Sequence, residues 1–290
     1  MPIDAYLGRG RHKPQSIMRA LCLLLKGAIA CNAAPARLRS CADSSLEENS
    51  APSALPLKQF WESVGKDFAH TSYVTSHSGE PVSRQNAARW KATWLPGFAE
   101  PLGWLNGSRI GDYGIGAGLL GTVLCNEYGA ASYIGMDIAS RSLDAARAQL
   151  TKNAPRCDSK LLLLDPSAVG NMSFVNQFQL DALVSQQVIQ HFPSEIYTVT
   201  WLCTLATQQI PRLLLEVRYG QKAMFNEWQS RRVKQKNVAL ATFLNCEHLA
   251  NFLPNYRLRS ANFTSPGGWN TRFVACDFVL AAGGGGIVGP

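Results

Sequence analysis

Residues 109–118 read Arg-Ile-Gly-Asp-Tyr-Gly-Ile-Gly-Ala-Gly and are followed at once by a helical segment, Leu119–Tyr128. The first five residues, Arg109–Tyr113, are a strand candidate. The glycines that follow allow positive φ and let a ligand approach the backbone closely. The segment therefore predicts a strand, a ligand-binding turn and a helix in succession.

Strand-like runs and helical segments alternate along the chain, which is typical of an α/β domain with a mostly parallel sheet. The strand candidates are Arg109–Tyr113, Ser132–Asp137, Lys160–Asp165, Asp181–Ser185 and Arg212–Arg218. The helical candidates are Leu119–Tyr128, Ser140–Asn153, Val188–Phe192 with Ser194–Ala206, and Cys246–Phe252. Near the end, Tyr256–Thr264 and Thr271–Leu280 flank a Pro-Gly-Gly turn at 266–268, which predicts a hairpin of antiparallel strands.

The glycine turn is compatible with more than one ligand. Gly116–Gly121 satisfies the dinucleotide fingerprint G-x-G-x-x-G. Asp112, directly before the turn, opposes a pyrophosphate at the helix N-terminus and favours an ammonium group. Asp137 ends the second strand candidate, the position of a carboxylate that binds ribose hydroxyls. With the predicted hairpin, these features favour a ligand that has a ribose and a cationic amino-acid group but no phosphate, such as S-adenosylmethionine.

The motif order resembles that of class I S-adenosylmethionine-dependent methyltransferases over roughly Ser108–Leu280. Asp112–Gly118 resembles the family's first motif, an acid, one residue and then G-x-G-x-G, although Gly111 stands where the family usually has an aliphatic residue. Later segments are similar to the second to fifth strands of the family, in order: Tyr133–Ile138, Leu161–Asp165, Asp181–Pro193 and Leu213–Val217. The third of these segments resembles the small-molecule branch, in which a short helix ends in His.

The resemblance implies a Rossmann-like, doubly wound sheet of about seven strands in the order 3-2-1-4-5-7-6, with strand 7 antiparallel. It implies S-adenosyl-L-methionine as cofactor and methyl transfer by in-line displacement to an O, N, S or C atom of an acceptor, with a small molecule preferred. No metal is implied. The residues that the resemblance places at the cofactor are Asp112, Gly114, Gly116, Gly118, Asp137, Ile138, Asp165, Ser185 and Gln186.

Two of the candidate residues have structural alternatives. Asp165 begins an Asp-Pro-Ser sequence, which also makes a good turn and helix start. His191 is the candidate catalytic residue, because an imidazole can accept a proton near neutral pH or orient an acceptor. It could equally be a structural group that bonds to backbone at a helix end. Alternative functions are a methyltransferase acting on protein or RNA, a nicotinamide-dependent oxidoreductase, and a non-catalytic nucleotide-binding protein.

Composition predicts one large folded domain with appendages. Of the 290 residues, 46% are apolar and 17% are charged, which allows a large core and excludes wholesale disorder. We divide the chain into an extension at 1–50, a helical cap at 51–105, the cofactor-binding domain at 106–282 and a flexible Gly-rich tail at 283–290. The Arg-rich, acid-poor extension resembles an organelle transit peptide, with a secretory signal or a disordered extension as alternatives. The predicted location is intracellular, in the cytoplasm or an organelle.

Charge, cysteine and hydropathy patterns bear on nucleic-acid binding, disulfides, zinc sites and membrane spans. The net charge of +8 comes mostly from residues 1–43, which hold seven Lys and Arg against two acids, so a nucleic-acid partner is not indicated. The basic cluster Arg231–Lys236 is interpreted as a solvated helix face, with an electropositive rim as the alternative. Eight cysteines without a C-x-x-C pair predict buried thiols, neither a disulfide framework nor a zinc site. No apolar run reaches the roughly 18 residues of a membrane span.

Overall fold

The computed structural model describes residues 58–59, 61–62, 102–219, 224–225, 241–242, 245–264 and 272–281. Several predicted features lie outside these residues: the extension at 1–50, most of the cap at 51–105, the Arg231–Lys236 cluster, the turn at 266–268 and the tail at 283–290. The cofactor-binding domain at 106–282 is largely inside them.

Nine strands and five complete α-helices are present among the described residues, and residues 58–59 and 61–62 are also helical. The strands are β1 (Arg109–Tyr113), β2 (Ser132–Asp137), β3 (Asp158–Leu163), β4 (Ala182–Gln186), β5 (Arg212–Tyr219), β6 (Met224–Phe225), β7 (Ala241–Thr242), β8 (Tyr256–Thr264) and β9 (Arg272–Leu280). The helices are α1 (Leu119–Asn126), α2 (Ser140–Asn153), α3 (Ser173–Phe178), α4 (Glu195–Thr207) and α5 (Cys246–Ala250). Two 3₁₀ helices, Leu102–Leu105 and Ile189–His191, complete the set.

The main sheet has seven strands in the order β3-β2-β1-β4-β5-β9-β8. Its first five strands are parallel, whereas β9 runs antiparallel to both β5 and β8. The α/β class, the strand order and the antiparallel C-terminal pair are therefore confirmed. The strand order reverses between β1 and β4, and in open α/β sheets ligands bind at the carboxyl ends of the strands at such a point.

Each face of the sheet carries its own apolar cluster, because successive residues of a strand point to opposite sides. Ile110 packs with α1 and α2 on one face, together with Tyr133 of β2. Tyr113 packs on the other face with Phe192 and Trp201. Strand β1 therefore contributes to both apolar clusters, Ile110 on one face and Tyr113 on the other, and the glycine turn follows directly after it.

A buried ion pair links β5 to its antiparallel neighbour β9. Arg212 of β5 donates from Nε and Nη2 to the two carboxylate oxygens of Asp277 on β9, over 2.8 and 2.6 Å. The side chain of Asp277 is 1% exposed and that of Arg212 is 10% exposed. The guanidinium also lies 4.1 Å from the ring centroid of Trp104. Both carboxylate oxygens of Asp277 therefore accept a hydrogen bond from the guanidinium, which offsets the cost of burying the two charges.

Strand β3 begins and ends two residues earlier than predicted, at Asp158 and Leu163 instead of 160 and 165. The register explains the difference. In the main sheet β3 pairs only with β2, and Ser132 pairs with Asp158 while Asp137 pairs with Leu163. The two strands therefore begin and end at the same level. Asp165 therefore lies beyond the strand. Helix α3 and the short β6–β7 pair were not predicted at all.

The expectation of free thiols is wrong for the described cysteines. Cys125 is bonded to Cys157, and Cys246 to Cys276, with Cα–Cα distances of 5.7 and 5.5 Å. Cys203 is disulfide-bonded as well. The two described pairs join residues about 30 positions apart in sequence, 32 and 30. Such spacings have no local signature, and only the packing of α1 and α5 against the sheet brings the partners together.

Candidate functional site

A cavity of about 160 Å³ lies at the carboxyl ends of β1, β2 and β4. Seven of the predicted site residues line it: Asp112, Gly114, Gly116, Asp137, Ile138, Gln186 and His191. The sequence-predicted residues therefore converge, although they come from four separate segments of the chain. No cluster of His, Cys, Asp and Glu able to hold a metal occurs among the described residues.

The turn after β1 needs glycine at two positions for different reasons. Gly114 has φ of 82°, and a Cβ atom there would lie 2.2 Å from Cγ2 of Val188. This close contact joins the turn after β1 to the loop after β4. Gly116 has φ of 54°, but a Cβ atom there would meet no atom within 4 Å. The backbone at Gly116 therefore faces open space, as a ligand cradle must.

Asp137 is held at the end of β2 by backbone groups. Its Oδ2 accepts a hydrogen bond from the Gly116 N–H over 3.1 Å, and its Oδ1 accepts one from the Ala139 N–H over 2.9 Å. Burial, with a smaller contribution from the charge of Glu62, raises its pKa to about 6 against the lowering effect of the backbone donors. The carboxyl group thus fixes the glycine turn and also lines the cavity, at a desolvation cost that a hydrogen-bond donor on a ligand would offset.

Asp112 lines the cavity as well. Its side chain is buried at 2% exposure, and its Oδ2 accepts a hydrogen bond from the Tyr133 hydroxyl over 2.5 Å. Tyr133 packs in turn under Gly121, where a Cβ atom would lie 2.4 Å from the ring. The carboxyl group is therefore placed by β2 and α1 together, at the start of the glycine turn.

Three predicted cofactor residues do not line the cavity: Gly118, Asp165 and Ser185. Gly118 lies where α1 crosses α2, and a Cβ atom there would come within 3.0 Å of Ala146. Ser185 is fully buried and donates to the Tyr113 carbonyl over 3.2 Å, which ties β4 to β1.

Asp165 is exposed and accepts hydrogen bonds from the Ser167 hydroxyl and N–H over 2.7 and 2.9 Å, which hold its pKa below the ordinary value. These bonds are those of the turn that the Asp-Pro-Ser sequence allowed, but no helix starts here, since α3 begins at Ser173. An adenine contact at Asp165 stays a prediction.

Aromatic residues that sequence analysis did not select form much of the remaining wall. They are Trp61, Tyr113, Phe192 and Tyr197. Tyr113 is inside the first motif, but the motif does not specify this position. Tyr197 lies in the first turn of α4, three residues after Ser194, whose side chain accepts from the Tyr197 N–H over 3.1 Å. Nothing in the sequence around Tyr197 distinguishes it from an ordinary core residue.

Trp61 lines the cavity, and its neighbour Glu62 bonds to the N-terminus of α2. The ring of Trp61 meets that of His191 edge-on, with centroids 5.2 Å apart. Glu62 accepts from the Ser140 N–H over 2.8 Å and from the Ser140 hydroxyl over 3.2 Å, at the N-terminus of α2. Partial burial raises the pKa of Glu62, but these bonds outweigh it and leave the pKa below its ordinary value. A carboxylate is favourable at this end of a helix.

The charge of the cavity wall is negative. Asp112 and Asp137 line the cavity, and no Lys or Arg is among the described residues that line it. A phosphate group would therefore meet two carboxylates without a described counter-charge, whereas an ammonium or sulfonium group would be attracted. The position of Asp112 directly before the glycine turn predicted the same preference for a cationic group over a phosphate.

Comparison with models of known protein families finds no match. Among curated proteins, peramine synthetase ppzA of Metarhizium rileyi is 24% identical over 182 residues, which are 62% of this chain and 6% of that protein. The chain thus spans only a small part of the length of that relative.

Solved structures share the fold over most of the chain. The magnesium protoporphyrin IX methyltransferase ChlM from Synechocystis PCC 6803 with bound SAH has a TM-score of 0.54 at 16% identity, over 79% of this chain and all of its own. The N-methyltransferase NodS from Bradyrhizobium japonicum WM9, in complex with S-adenosyl-L-homocysteine, has 0.51 at 9% identity, over 77% and 99%. The [4+2]-cyclase SpnF has 0.56 at 12% identity, over 80% and 98%.

This chain has the class I methyltransferase fold. In that fold β9 is the seventh strand, inserted antiparallel between β5 and β8, which agrees with the expected order 3-2-1-4-5-7-6. The methyltransferase fold also explains why the cavity lies beside β1. It does not by itself fix the reaction, because a fold can carry several activities. One of the solved structures with this fold is named a cyclase.

Proposed function

We propose that the protein is an S-adenosylmethionine-dependent methyltransferase with a small-molecule acceptor. The observation that carries the proposal is the cavity itself, in which a glycine turn and two carboxylates come together without a described cation. The residues fit the cofactor because Gly116 leaves open space at the turn and the half-buried carboxyl group of Asp137 faces the same space. A dinucleotide fits less well, since its pyrophosphate would lie between Asp112 and Asp137.

Each wall of the cavity has a distinct part in binding the cofactor. Asp137 would accept hydrogen bonds from the ribose hydroxyls, and Asp112 would attract the amino group of the methionine moiety. Ile138 would supply apolar contact for the adenine, and Gln186, which also lines the cavity, would supply an amide for the methionine moiety. S-adenosylmethionine supplies an activated methyl group on a sulfonium ion. The protein contributes mainly alignment of the acceptor with this group, and such positioning can lower a barrier by up to about 7–11 kcal/mol.

The aromatic residues that line the cavity bear on the kind of methyl acceptor. Trp61, His191 and Phe192 give the cavity an apolar, aromatic border. A cavity of about 160 Å³ with aromatic side chains in its wall suits a small molecule better than a segment of folded protein or RNA. Methyl transfer to protein or RNA remains the alternative.

The test is a screen of pooled acceptors that detects S-adenosylhomocysteine release by the full chain, with no assumption about the acceptor. We expect release with at least one small-molecule pool and none with protein or RNA pools. A parallel titration with S-adenosylhomocysteine and NADH measures the cofactor preference directly. Binding of NADH without binding of S-adenosylhomocysteine would contradict the proposal, and so would binding without turnover in any pool.

The pKa of Asp137 predicts a pH-dependent affinity. The folded-state pKa of about 6 lies above the ordinary 3.8, so the carboxyl group is protonated at about pH 5 and charged at about pH 7.5. The charged carboxylate accepts hydrogen bonds from ribose hydroxyls more strongly than the protonated carboxyl group does. We expect affinity for S-adenosylhomocysteine to fall by up to about tenfold for each pH unit below about 6.

Calorimetric titration across this pH range measures the effect. Asp137→Asn is the matched control, because its amide does not ionise there, and its affinity should change little with pH. The unliganded protein should behave in the opposite sense, and lose stability as pH rises from about 4 to about 6, since the carboxyl group then ionises in a desolvated site. An affinity in the unmodified protein that does not vary with pH would contradict the assignment.

His191 is proposed as a positioning residue that supports Trp61 at the rim, because the two rings are in contact. We expect His191→Phe, which keeps an aromatic ring, to retain most of the turnover and an unchanged pH–rate profile, while His191→Ala loses several-fold in turnover. The measurement is turnover per folded molecule from about pH 5 to pH 9. If both variants lose turnover together with an ionisation near pH 6.5, His191 is instead a general base.

A further inference from the structure

The loop after β4 has a strained backbone at the cavity. Gln187, the first residue after β4, has φ of 56° and lines the cavity. This left-handed region is unfavourable for a residue with a long side chain such as glutamine. Conformations of this kind persist where the surrounding structure holds them, and they cluster at functional sites. The backbone of Gln187 therefore calls for a local or a functional explanation.

A helix end explains the other two non-glycine residues with positive φ among the described residues, but it does not explain Gln187. Gln179, with φ of 49°, is the C-terminal cap of α3, and Gln209, with φ of 53°, directly follows the C-terminal cap of α4. Helices commonly end with a residue in this conformation. Gln187 follows a strand instead, and its N–H donates to the Glu216 carbonyl of β5 over 3.2 Å.

The turn after β1 and the loop after β4 are held by different strands. The N–H groups of Gly114 and Ile115 both donate to the Met136 carbonyl of β2, over 2.8 and 3.0 Å. The loop after β4 is bonded through Gln187 to β5, on the other side of the point where the strand order reverses. A ligand crevice is expected between two such loops, and Gln187 forms part of its β4 side.

The strand order determines how the polar groups follow one another across the cavity. Asp137 ends β2, Asp112 is in β1 and Gln187 follows β4, and these strands are adjacent in the order β2-β1-β4. Neighbouring strands are about 4.8 Å apart, so the strands that carry Asp137 and Gln187 are about 10 Å apart, with Asp112 between them. A ligand with its ribose at Asp137 and its ammonium group at Asp112 therefore extends in the direction of Gln187.

The charge of the wall calls for a hydrogen-bond donor at this position. Asp112 and Asp137 attract an ammonium group but repel a carboxylate, and no Lys or Arg is among the described residues that line the cavity. A side-chain amide carries no charge and can donate to a carboxylate. Gln187 is half-buried, and within the described part of the chain no group forms a hydrogen bond with its amide. The amide is therefore available to a ligand.

We propose that the Gln187 amide donates a hydrogen bond to the carboxylate of the methionine moiety of S-adenosylmethionine. This inference rests on the proposed function, since it concerns the same cofactor in the same cavity. It explains why glutamine stands at a position that glycine would occupy without strain, because glycine would remove the amide together with the strain.

The experiment titrates the full chain with S-adenosylhomocysteine and with its decarboxylated analogue, in which a hydrogen replaces the carboxylate. We expect Gln187→Ala and Gln187→Gly each to bind S-adenosylhomocysteine about tenfold more weakly than the unmodified protein does, the effect of one hydrogen bond to a charged group. Both variants should bind the decarboxylated analogue with the affinity of the unmodified protein. Calorimetry measures the dissociation constants.

The chain offers a matched control in Gln209. Gln209→Ala removes an exposed glutamine side chain at nearly the same positive φ, outside the cavity lining, and should leave both affinities unchanged. Thermal unfolding of each variant distinguishes a local effect from a loss of folded protein. Because glycine accepts φ of 56° without strain, Gln187→Gly should unfold at a higher temperature than Gln187→Ala, while the two variants bind S-adenosylhomocysteine equally weakly.

The outcomes separate this inference from the proposed function. If the unmodified protein does not bind S-adenosylhomocysteine, both are overturned. If it binds that ligand and the two Gln187 variants bind it with the same affinity, only the role of Gln187 is overturned. The same conclusion follows if the variants lose as much affinity for the decarboxylated analogue, or if Gln209→Ala weakens binding to the same extent.

Discussion

Replacement of Asp277 by Asn is expected to lower the free energy of unfolding by about 3–5 kcal/mol, the cost of leaving one partner of a buried ion pair unmatched. Arg212 would keep its charge at a depth where 10% of its side chain is exposed, with the carboxylate that accepts both of its hydrogen bonds removed. Urea unfolding followed by circular dichroism measures the change.

The chain offers a matched control in a second, exposed pair. Arg109 and Asp181 form an equally direct ion pair, but their side chains are 40% and 36% exposed. Asp181→Asn should therefore cost much less stability, because water solvates the remaining charge. The double variant with Arg212→Met and Asp277→Leu should recover most of the loss, since no charge stays buried. Equal losses for the two Asp→Asn variants would show that burial is not the cause.

The second large effect is expected at Asp137. Asp137→Ala removes a carboxylate from the cavity wall, and with it charge-assisted hydrogen bonds to the ribose hydroxyls, each worth roughly 1.5–3 kcal/mol. The affinity for S-adenosylhomocysteine should fall at least about tenfold and reach about a hundredfold if both hydroxyls are bound. The glycine turn also loses the acceptor for its Gly116 N–H. Calorimetric titration measures the dissociation constant.

Asp144→Ala is the control for this variant. Asp144 also carries a carboxylate and lies on α2, but its side chain is 71% exposed and pairs with Arg147. Its removal should leave the affinity unchanged. Equal affinity of the Asp137 and Asp144 variants, with both proteins folded, would reduce Asp137 to a residue that only shapes the turn.

The fold was predictable because its signals are local or periodic. Strands β1 and β2 have the predicted bounds, and so does helix α2. The alternation of strands and helices gave the parallel part of the sheet, and the hairpin gave the antiparallel end. The disulfides were not predictable, since the pairing of Cys125 with Cys157 depends on how α1 packs on the sheet.

The site shows where sequence patterns lose precision. Asp137 and Asp165 both follow strand candidates, and the pattern treats them alike. Only Asp137 lines the cavity, because the Ser167 hydroxyl and N–H bond to Asp165 outside it. The Asp-Pro-Ser sequence was the available signal for that difference. No sequence signal marked Tyr197 as a cavity residue, because its place there depends on how α4 packs in the core with Tyr113.

Trp61 and Glu62 contact the cavity and α2, so the docking of these two residues is linked thermodynamically to the binding of S-adenosylhomocysteine. Glu62 holds the first turn of α2, and Trp61 lines the cavity against His191. Thermodynamic reciprocity then requires that, by whatever factor the docked segment strengthens ligand binding, the ligand strengthens docking of the segment equally. Saturation with the ligand should therefore slow proteolysis near residues 58–62, far along the chain from the glycine turn.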